Sequence, residues 1–211
     1  MPPRPRDLPT IRGAVRLHHV RFSSNFPLFL ADARRFPATS LRMALLLYGG
    51  MALLAVGLAW ILPKGLTIFR LPPAPLPWLT GLLAGLLLVL LSALLERLWP
   101  RFAQLGQTLT DLLGPISLPR ALLLGLLSGV AEEMLFRGPL QEFLGPLLAT
   151  LVFAGLHGMG NRHLWPWPLF ALGAGGFFAG LTAHFDTLWP AAVAHVVVNA
   201  LNLRRLGARY R

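Results

Sequence analysis

The chain has 211 residues, of which 55% are hydrophobic and only 13% are charged. A soluble domain carries about 25% charged residues, so this composition argues against a water-soluble globule and predicts an integral membrane protein. The net charge is +11, and the chain has no cysteine, which excludes disulfides, thiolate nucleophiles and cysteine-based zinc sites.

The chain divides into two basic tails and two membrane regions. Residues 1–42 hold eight arginines, and we predict either an interfacial segment or a partly disordered cytoplasmic tail. Residues 43–99 contain two apolar runs long enough to cross hydrocarbon, residues 118–203 contain four more candidate spans, and residues 204–211 form a basic C-terminal tail. The predicted fold is an all-α, polytopic membrane helix bundle of about six transmembrane helices. The spans are 43–62, 78–95, 119–137, 146–157, 167–183 and 188–203.

Glycine positions predict two breaks and one close helix contact. Gly138 and Gly145 are each followed by proline, so we predict that they interrupt the chain between the third and fourth spans, with a short polar element between them. In the fifth span, Gly176 and Gly180 have the small-residue spacing that lets helices approach closely.

The basic residues predict the orientation of the chain and some of its partners. Six spans place both termini on one side, and 16 of the 19 lysines and arginines fall on that side or in the loops that share it. By the positive-inside rule, both termini are cytoplasmic. The same cations suit contact with anionic lipid at the basic tails. No basic stripe with interleaved aromatic residues occurs, so we do not expect a nucleic-acid partner.

Two adjacent carboxylates, Glu132 and Glu133, lie inside the third predicted span. A charge at the bilayer centre costs between ~3 and ~15 kcal/mol, so an intramembrane carboxylate is expected to have a partner or a function. Glu133 and Arg137 have the i, i+4 spacing of a helical ion pair. Glu132 points about 100° away, has no partner on its own helix, and is therefore the candidate general base.

Two further pairs place polar groups in apolar spans. Phe153 and His157 share one face of the fourth span, and His195 and Asn199 share one face of the sixth. A buried histidine and asparagine can donate hydrogen bonds to a developing oxyanion. Polar groups in lipid must meet one another or line a water-filled cavity, so we predict that the three clusters converge on one site.

Each cluster also has an alternative interpretation. A glutamate-arginine bridge can be structural, a buried histidine can be a core residue, and a histidine-asparagine pair can hold two helices together. Glu132, His157 and His195 have the residue types of a two-histidine, one-carboxylate zinc site, although the chain lacks a His-Glu-x-x-His string. A proton-coupled transporter is a further alternative, disfavoured because the chain shows no internal repeat.

In order and spacing, the three clusters resemble the motifs of the CPBP intramembrane protease family. This is the CAAX-processing and bacteriocin-processing (Abi) group, to which the Rce1-like prenyl endopeptidases are related. The surrounding strings EEMLFRG and TLWPAAVAHVVVN agree with the resemblance, which covers about residues 118–203 and does not reach the first two spans. The matching motifs are Glu132-Glu133-x-x-x-Arg137, Phe153-x-x-x-His157 and His195-x-x-x-Asn199.

The resemblance implies a four-helix catalytic core and a glutamic endopeptidase that hydrolyses peptide bonds within or beside the membrane. By that analogy Glu132 and His157 activate the water, while His195 and Asn199 hold the tetrahedral oxyanion. No cofactor is expected, and a zinc-dependent version stays open. The remaining motif residues orient the site: Glu133, Arg137 and Phe153.

The resemblance and the topology together suggest a substrate and a location. We expect a membrane-anchored protein or peptide substrate and a place in the bacterial inner (plasma) membrane. The third span runs outward, and Glu132 lies five residues, or ~7 Å, before its outer end. A site that opens to the outer face suits cleavage of C-terminal tails or anchor signals. The alternative is a non-catalytic membrane binding or immunity protein on the same fold.

Overall fold

The computed structural model describes residues 37–113, 116–158 and 164–209, and within those ranges the chain is helical without a strand. A 3₁₀ helix, Gly65–Phe69, follows the first α-helix, and a π-helical turn, Phe136–Leu140, joins the fourth to the fifth. Residues 1–36 of the basic segment predicted at the N-terminus lie outside the described residues. The α-helices are α1 (Pro37–Ala59), α2 (Pro75–Leu98), α3 (Pro100–Leu113), α4 (Leu118–Leu135), α5 (Gln141–Gly158), α6 (Pro166–Phe185) and α7 (Trp189–Arg209).

The prediction of an all-α, polytopic membrane protein is confirmed. Helices α4 and α5 lie in one long apolar stretch. The mean hydropathy of α7 is lower than that of these stretches, because α7 contains histidine, asparagine and arginine residues. Leucines on the outer faces of the helices are largely exposed, as lipid-facing side chains are. In the described part of the chain, the stretches long and apolar enough to cross a membrane are Leu41–Ala59, Pro75–Leu98, Leu118–Gly158 and Pro166–Phe185.

Helix α3 was not predicted, because we searched for long apolar runs and its sequence is mixed. Its buried residue Leu105 and its aromatic contacts hold it against the start of α6. The Trp99 and Trp165 rings lie 5.1 Å apart, and those of Phe102 and Phe170 lie 5.8 Å apart. An amphipathic helix of this kind is typical of the membrane interface.

The two predicted chain breaks are confirmed. Gly138 has φ −78° and ψ −114°, and Gly145 has φ 78° and ψ 163°, a combination that only glycine adopts without strain. The polar element between the breaks is fixed by Gln141, whose Nε2 donates to the Ala179 carbonyl at 3.2 Å.

Helix α7 packs directly against α4. A Cβ atom added at Gly125 would lie 2.6 Å from the Ala200 backbone nitrogen, and one added at Gly129 would lie 2.6 Å from the Val196 nitrogen. The two backbones therefore touch, which places residues one turn beyond Gly129 beside residues near the start of α7.

The close approach predicted at Gly176 and Gly180 is not formed among the described residues. A Cβ atom added at either glycine would meet nothing within 4 Å. On α6 the close contact is at Gly175 instead, where a Cβ would lie 2.9 Å from the Phe153 ring. Small-residue faces that bring helices together lie instead on α4 and on α2, where a Cβ atom added at Gly81 would lie 2.5 Å from the Pro190 carbonyl oxygen.

Candidate active site

All seven predicted site residues lie together where α4, α5 and α7 meet. The two glutamates come from the last turns of α4, and the arginine comes from the π-helical turn that follows. The close contact between α4 and α7 brings the histidine and asparagine of α7 to the same level. The residues are Glu132, Glu133, Arg137, Phe153, His157, His195 and Asn199.

Glu133 is fully buried and has a partner for each carboxylate oxygen. Its Oε2 accepts a hydrogen bond from Arg137 Nε at 3.0 Å, which is the predicted i, i+4 ion pair. Its Oε1 lies 2.8 Å from His195 Nδ1. Because an ionised carboxylate only accepts, His195 Nδ1 carries the proton of this bond. Glu133 is therefore held between two donors and orients the His195 ring.

Arg137 is buried with its charge neutralised and most of its donors used. Besides Glu133, its Nη1 donates to Thr150 Oγ1 at 3.2 Å and to Gln141 Oε1 at 3.4 Å. The guanidinium carbon lies 5.3 Å from the centre of the Phe153 ring, within cation–π range. Thr150 was missed in the sequence, where a lone threonine in an apolar span gives no signal of its partner.

Phe153 is the aromatic centre of the site. Its ring centre lies 4.5 Å from the His157 ring and 5.8 Å from the His195 ring. On its other side it meets Phe136 edge to face at 5.1 Å. His195 is also covered by Phe178, which stacks on it at 5.1 Å. Both imidazoles are thus packed against aromatic rings that restrict their rotation.

Glu132 differs from its neighbour because it lacks a close partner. Its Oε2 lies 3.8 Å from His157 Nε2 and 3.9 Å from His195 Nε2, beyond hydrogen-bond distance. This oxygen has no hydrogen-bond partner among the described residues, although the side chain is only 14% exposed. His157 Nδ1 donates to the Phe153 carbonyl at 2.7 Å, so its Nε2 faces Glu132. The arrangement leaves a carboxylate and an imidazole free to act on a third group.

Asn199 is held by Ser128, a residue that the sequence analysis missed. Asn199 Nδ2 donates to Ser128 Oγ at 2.9 Å, and Ser128 Oγ donates to the Leu124 carbonyl at 2.8 Å. Ser128 lies one helical turn before Glu132 on the same face of α4, and that spacing was the available signal. Since an amide nitrogen has two N–H groups, one remains for another acceptor.

The candidate zinc ligands do not form a recognisable metal-binding group. Within the described ranges, no three histidine or carboxylate side chains are placed to hold a metal ion. The distances of 3.8 Å and 3.9 Å from Glu132 Oε2 to the two imidazoles are wider than the ~3.3 Å between ligand atoms of a tetrahedral zinc site.

Comparison with known proteins finds a family to which this region is similar. Residues 114–201 match the family model described as "Type II CAAX prenyl endopeptidase Rce1-like". Through this region the chain is similar to the Rce1-like family. The match contains all seven site residues and excludes α1 and α2, which agrees with the extent of the resemblance seen in the sequence.

One curated relative of the Rce1-like region is the uncharacterized protein YpbD of Bacillus subtilis. It is 40% identical over 87 residues, which are 40% of this chain and 44% of that protein. The matched part therefore spans less than half of the relative. No solved structure matches the chain.

Proposed function

We propose that this protein is a glutamic intramembrane endopeptidase that hydrolyses peptide bonds near the membrane. The observation that carries the proposal is the difference between the two adjacent glutamates. Glu133 has a hydrogen-bond donor on each oxygen, whereas Glu132 Oε2 has none and lies 3.8 Å from His157 Nε2. The similarity of residues 114–201 to the Rce1-like family supports a protease in general, and the geometry supports different roles for the two glutamates.

The first step is activation of water by Glu132 and His157. These two groups are too far apart to bond to each other and close enough to contact one water molecule. Glu132 takes a proton from the water as general base, and the water oxygen bonds to the carbonyl carbon of the substrate. His157 Nε2 accepts the second hydrogen bond of that water, because its Nδ1 proton is held by the Phe153 carbonyl.

The second step is stabilisation of the tetrahedral oxyanion by His195 and Asn199. Asn199 offers the N–H that does not bond to Ser128. Glu133 on Nδ1 stabilises positive charge on His195, whose Nε2 then donates to the oxyanion. Collapse of the tetrahedral intermediate breaks the C–N bond of the substrate, and the proton held by Glu132 moves to the leaving nitrogen. Each preorganised donor of this kind raises kcat by about 10²–10³-fold.

The position of the site supports a substrate that is membrane-anchored. The candidate catalytic groups lie between apolar helices, and His195 stacks on Phe178, seven residues or ~10 Å before the end of α6. With both termini in the cytoplasm of a bacterial cell, this end faces outward. We therefore propose C-terminal tails or anchor signals as substrates. Cysteine labelling that places residue 138 in the cytoplasm would contradict this orientation.

The test is cleavage of C-terminal anchor peptides by the full chain in proteoliposomes. The variants are Glu132→Gln and His157→Ala, and Glu142→Gln is the matched control because Glu142 lies outside the site and accepts from the Lys64 backbone. Cleavage by wild type and the control, lost in both site variants, supports the proposal. Cleavage retained by Glu132→Gln contradicts it, and peptide binding by wild type without cleavage favours the non-catalytic alternative.

A further inference from the structure

We propose that a recess between α2 and α7 binds the headgroup of an anionic phospholipid, with the lipid phosphate on Arg97 and Arg205. The recess has a volume of about 430 Å³. Glu96 and Arg97 line it from α2 and Arg205 lines it from α7, while the small side chains of Ala93 and Ala208 leave the space open. The described residues that line it include none of the seven residues of the active site. The recess is therefore a second site, and it does not depend on the proposed function.

The recess lies at the level of lipid headgroups. Arg97 is the second-to-last residue of α2, which has 24 residues and forms the apolar stretch Pro75–Leu98. At 1.5 Å per residue this stretch is ~36 Å long, slightly more than the ~30 Å of the hydrocarbon core. Trp99 follows α2 directly, and its ring lies 5.1 Å from that of Trp165, as in the aromatic belt of a membrane interface. A cation at this level meets phosphates and not acyl chains.

A polar network between the two helices holds Arg205 at the recess. Its Nη2 donates to Glu96 Oε2 at 3.0 Å, and its Nη1 donates to Asn202 Oδ1 at 2.9 Å and to Ser92 Oγ at 3.3 Å. A guanidinium has five N–H donors, so two remain after these three bonds. Ser92 and Glu96 are buried, whereas the Arg205 side chain is 36% exposed. The network thus fixes the guanidinium and leaves donors for a ligand.

The recess has one positive charge that no described residue neutralises. Glu96 compensates Arg205 through their ion pair. The exposed Arg97 side chain has no ion pair or hydrogen bond with another described residue. Arginine binds phosphate oxygens through charge-assisted hydrogen bonds, and both arginines line the same recess. The recess therefore favours a phosphate diester with a single negative charge, such as that of phosphatidylglycerol.

The leucines that precede Arg97 on α2 indicate a lipid and not a soluble phosphate. Leu87, Leu90 and Leu94 lie ten, seven and three residues before Arg97, so they share its face of the helix. All three leucines are exposed. This stripe runs from the recess toward the middle of the bilayer, where an acyl chain of a lipid held by its headgroup would lie. A soluble phosphate would contact the arginines alone.

The experiment measures lipid binding by the full chain in detergent micelles with native mass spectrometry. The probes are phosphatidylglycerol, phosphatidylcholine with the same acyl chains, and glycerophosphoglycerol, which is the phosphatidylglycerol headgroup without acyl chains. The variants are Arg97→Gln and Ala93→Leu, which fills the recess and keeps every charge. Arg101→Gln is the matched control, because Arg101 lies 5.8 Å from the centre of the Trp165 ring and does not line the recess.

We expect wild type to bind phosphatidylglycerol about 10-fold more tightly than phosphatidylcholine. Arg97→Gln should weaken phosphatidylglycerol binding about 10-fold, which is the size of one charge-assisted hydrogen bond. Ala93→Leu should weaken it at least as much, and Arg101→Gln should bind like wild type. Arg205 is left unchanged, because its loss would leave the buried Glu96 without its ion-pair partner.

Several results would overturn the proposal. Wild-type affinity in Arg97→Gln or in Ala93→Leu would show that the headgroup does not lie in the recess. An equal loss in Arg101→Gln would show attraction by surface charge alone. Glycerophosphoglycerol bound as tightly as the lipid would show a site for soluble phosphate. The SDS unfolding midpoint of Arg97→Gln without lipid should equal that of wild type, and a lowered midpoint would make Arg97 a structural residue instead.

Discussion

Replacing Glu133 with glutamine tests whether the two glutamates have different roles. Glu133 is 0% exposed and lies 3.0 Å from Arg137 Nε and 2.8 Å from His195 Nδ1. Removing one partner of a buried ion pair leaves the other charge uncompensated, at a cost of about 3–5 kcal/mol. We expect Glu133→Gln to lower the free energy of unfolding by that amount. Cleavage should also fall, by up to about 10⁴-fold as in a comparable carboxylate–histidine pair.

The matched change at Glu132 should behave differently. Its Oε2 has no hydrogen-bond partner among the described residues, and the nearest imidazole nitrogens lie 3.8 Å and 3.9 Å away, so Glu132→Gln removes a buried charge that no hydrogen bond stabilises at this oxygen. We expect this variant to lose cleavage while its free energy of unfolding stays the same or rises. The assay is SDS unfolding in mixed micelles, followed by the fluorescence of the six tryptophans, beside peptide cleavage. Equal unfolding free energies for Glu132→Gln and Glu133→Gln, each measured relative to Glu142→Gln, would contradict the different roles of the two glutamates.

Three further predictions concern the oxyanion site, the helix contact and metal dependence. Asn199→Ala should lower kcat about 10²–10³-fold with a small change in KM, measured by steady-state cleavage; an effect confined to KM would contradict the assigned role. Gly129→Ala should lower the free energy of unfolding by about 1–3 kcal/mol, because the added Cβ would lie 2.6 Å from the Val196 nitrogen. Gly176→Ala, which meets nothing within 4 Å, is its control and should leave SDS unfolding unchanged. Chelator should leave cleavage unchanged, and a loss restored by added zinc would show that the site holds a metal.

The features that follow from local sequence were predicted well. The membrane helices and the breaks at Gly138 and Gly145 depend on apolar length and on backbone preferences that each segment carries by itself. The ion pair of Glu133 with Arg137 depends on spacing within one helical turn. The convergence of the three clusters was predictable because polar groups inside a bilayer must bond to one another or line a water-filled cavity.

The features that depend on contacts between distant segments were not predicted. Nothing in the local sequence shows that Ser128 bonds to Asn199, since the two residues are on different helices. The tight contact was expected at Gly176 and lies at Gly129 instead, because which glycine face meets a neighbour depends on the rotation of the whole helix. Helix α3 was missed because a short amphipathic helix has no long apolar run.

The contact of α4 with α7 also bears on how a peptide gains entry. Because there is no room between the backbones at Gly125 and Gly129, we expect α4 and α7 to move together; in the proposed mechanism they carry the general base and the oxyanion donors. His157 is on α5, which is joined to α4 through the two glycine breaks, so we expect α5 to move outward when a peptide enters. Energy transfer between labels on α5 and α7 would detect it. Such a motion would separate the His157 imidazole from the Glu132 carboxylate, so under the proposed mechanism hydrolysis would begin only after α5 has closed over the bound peptide.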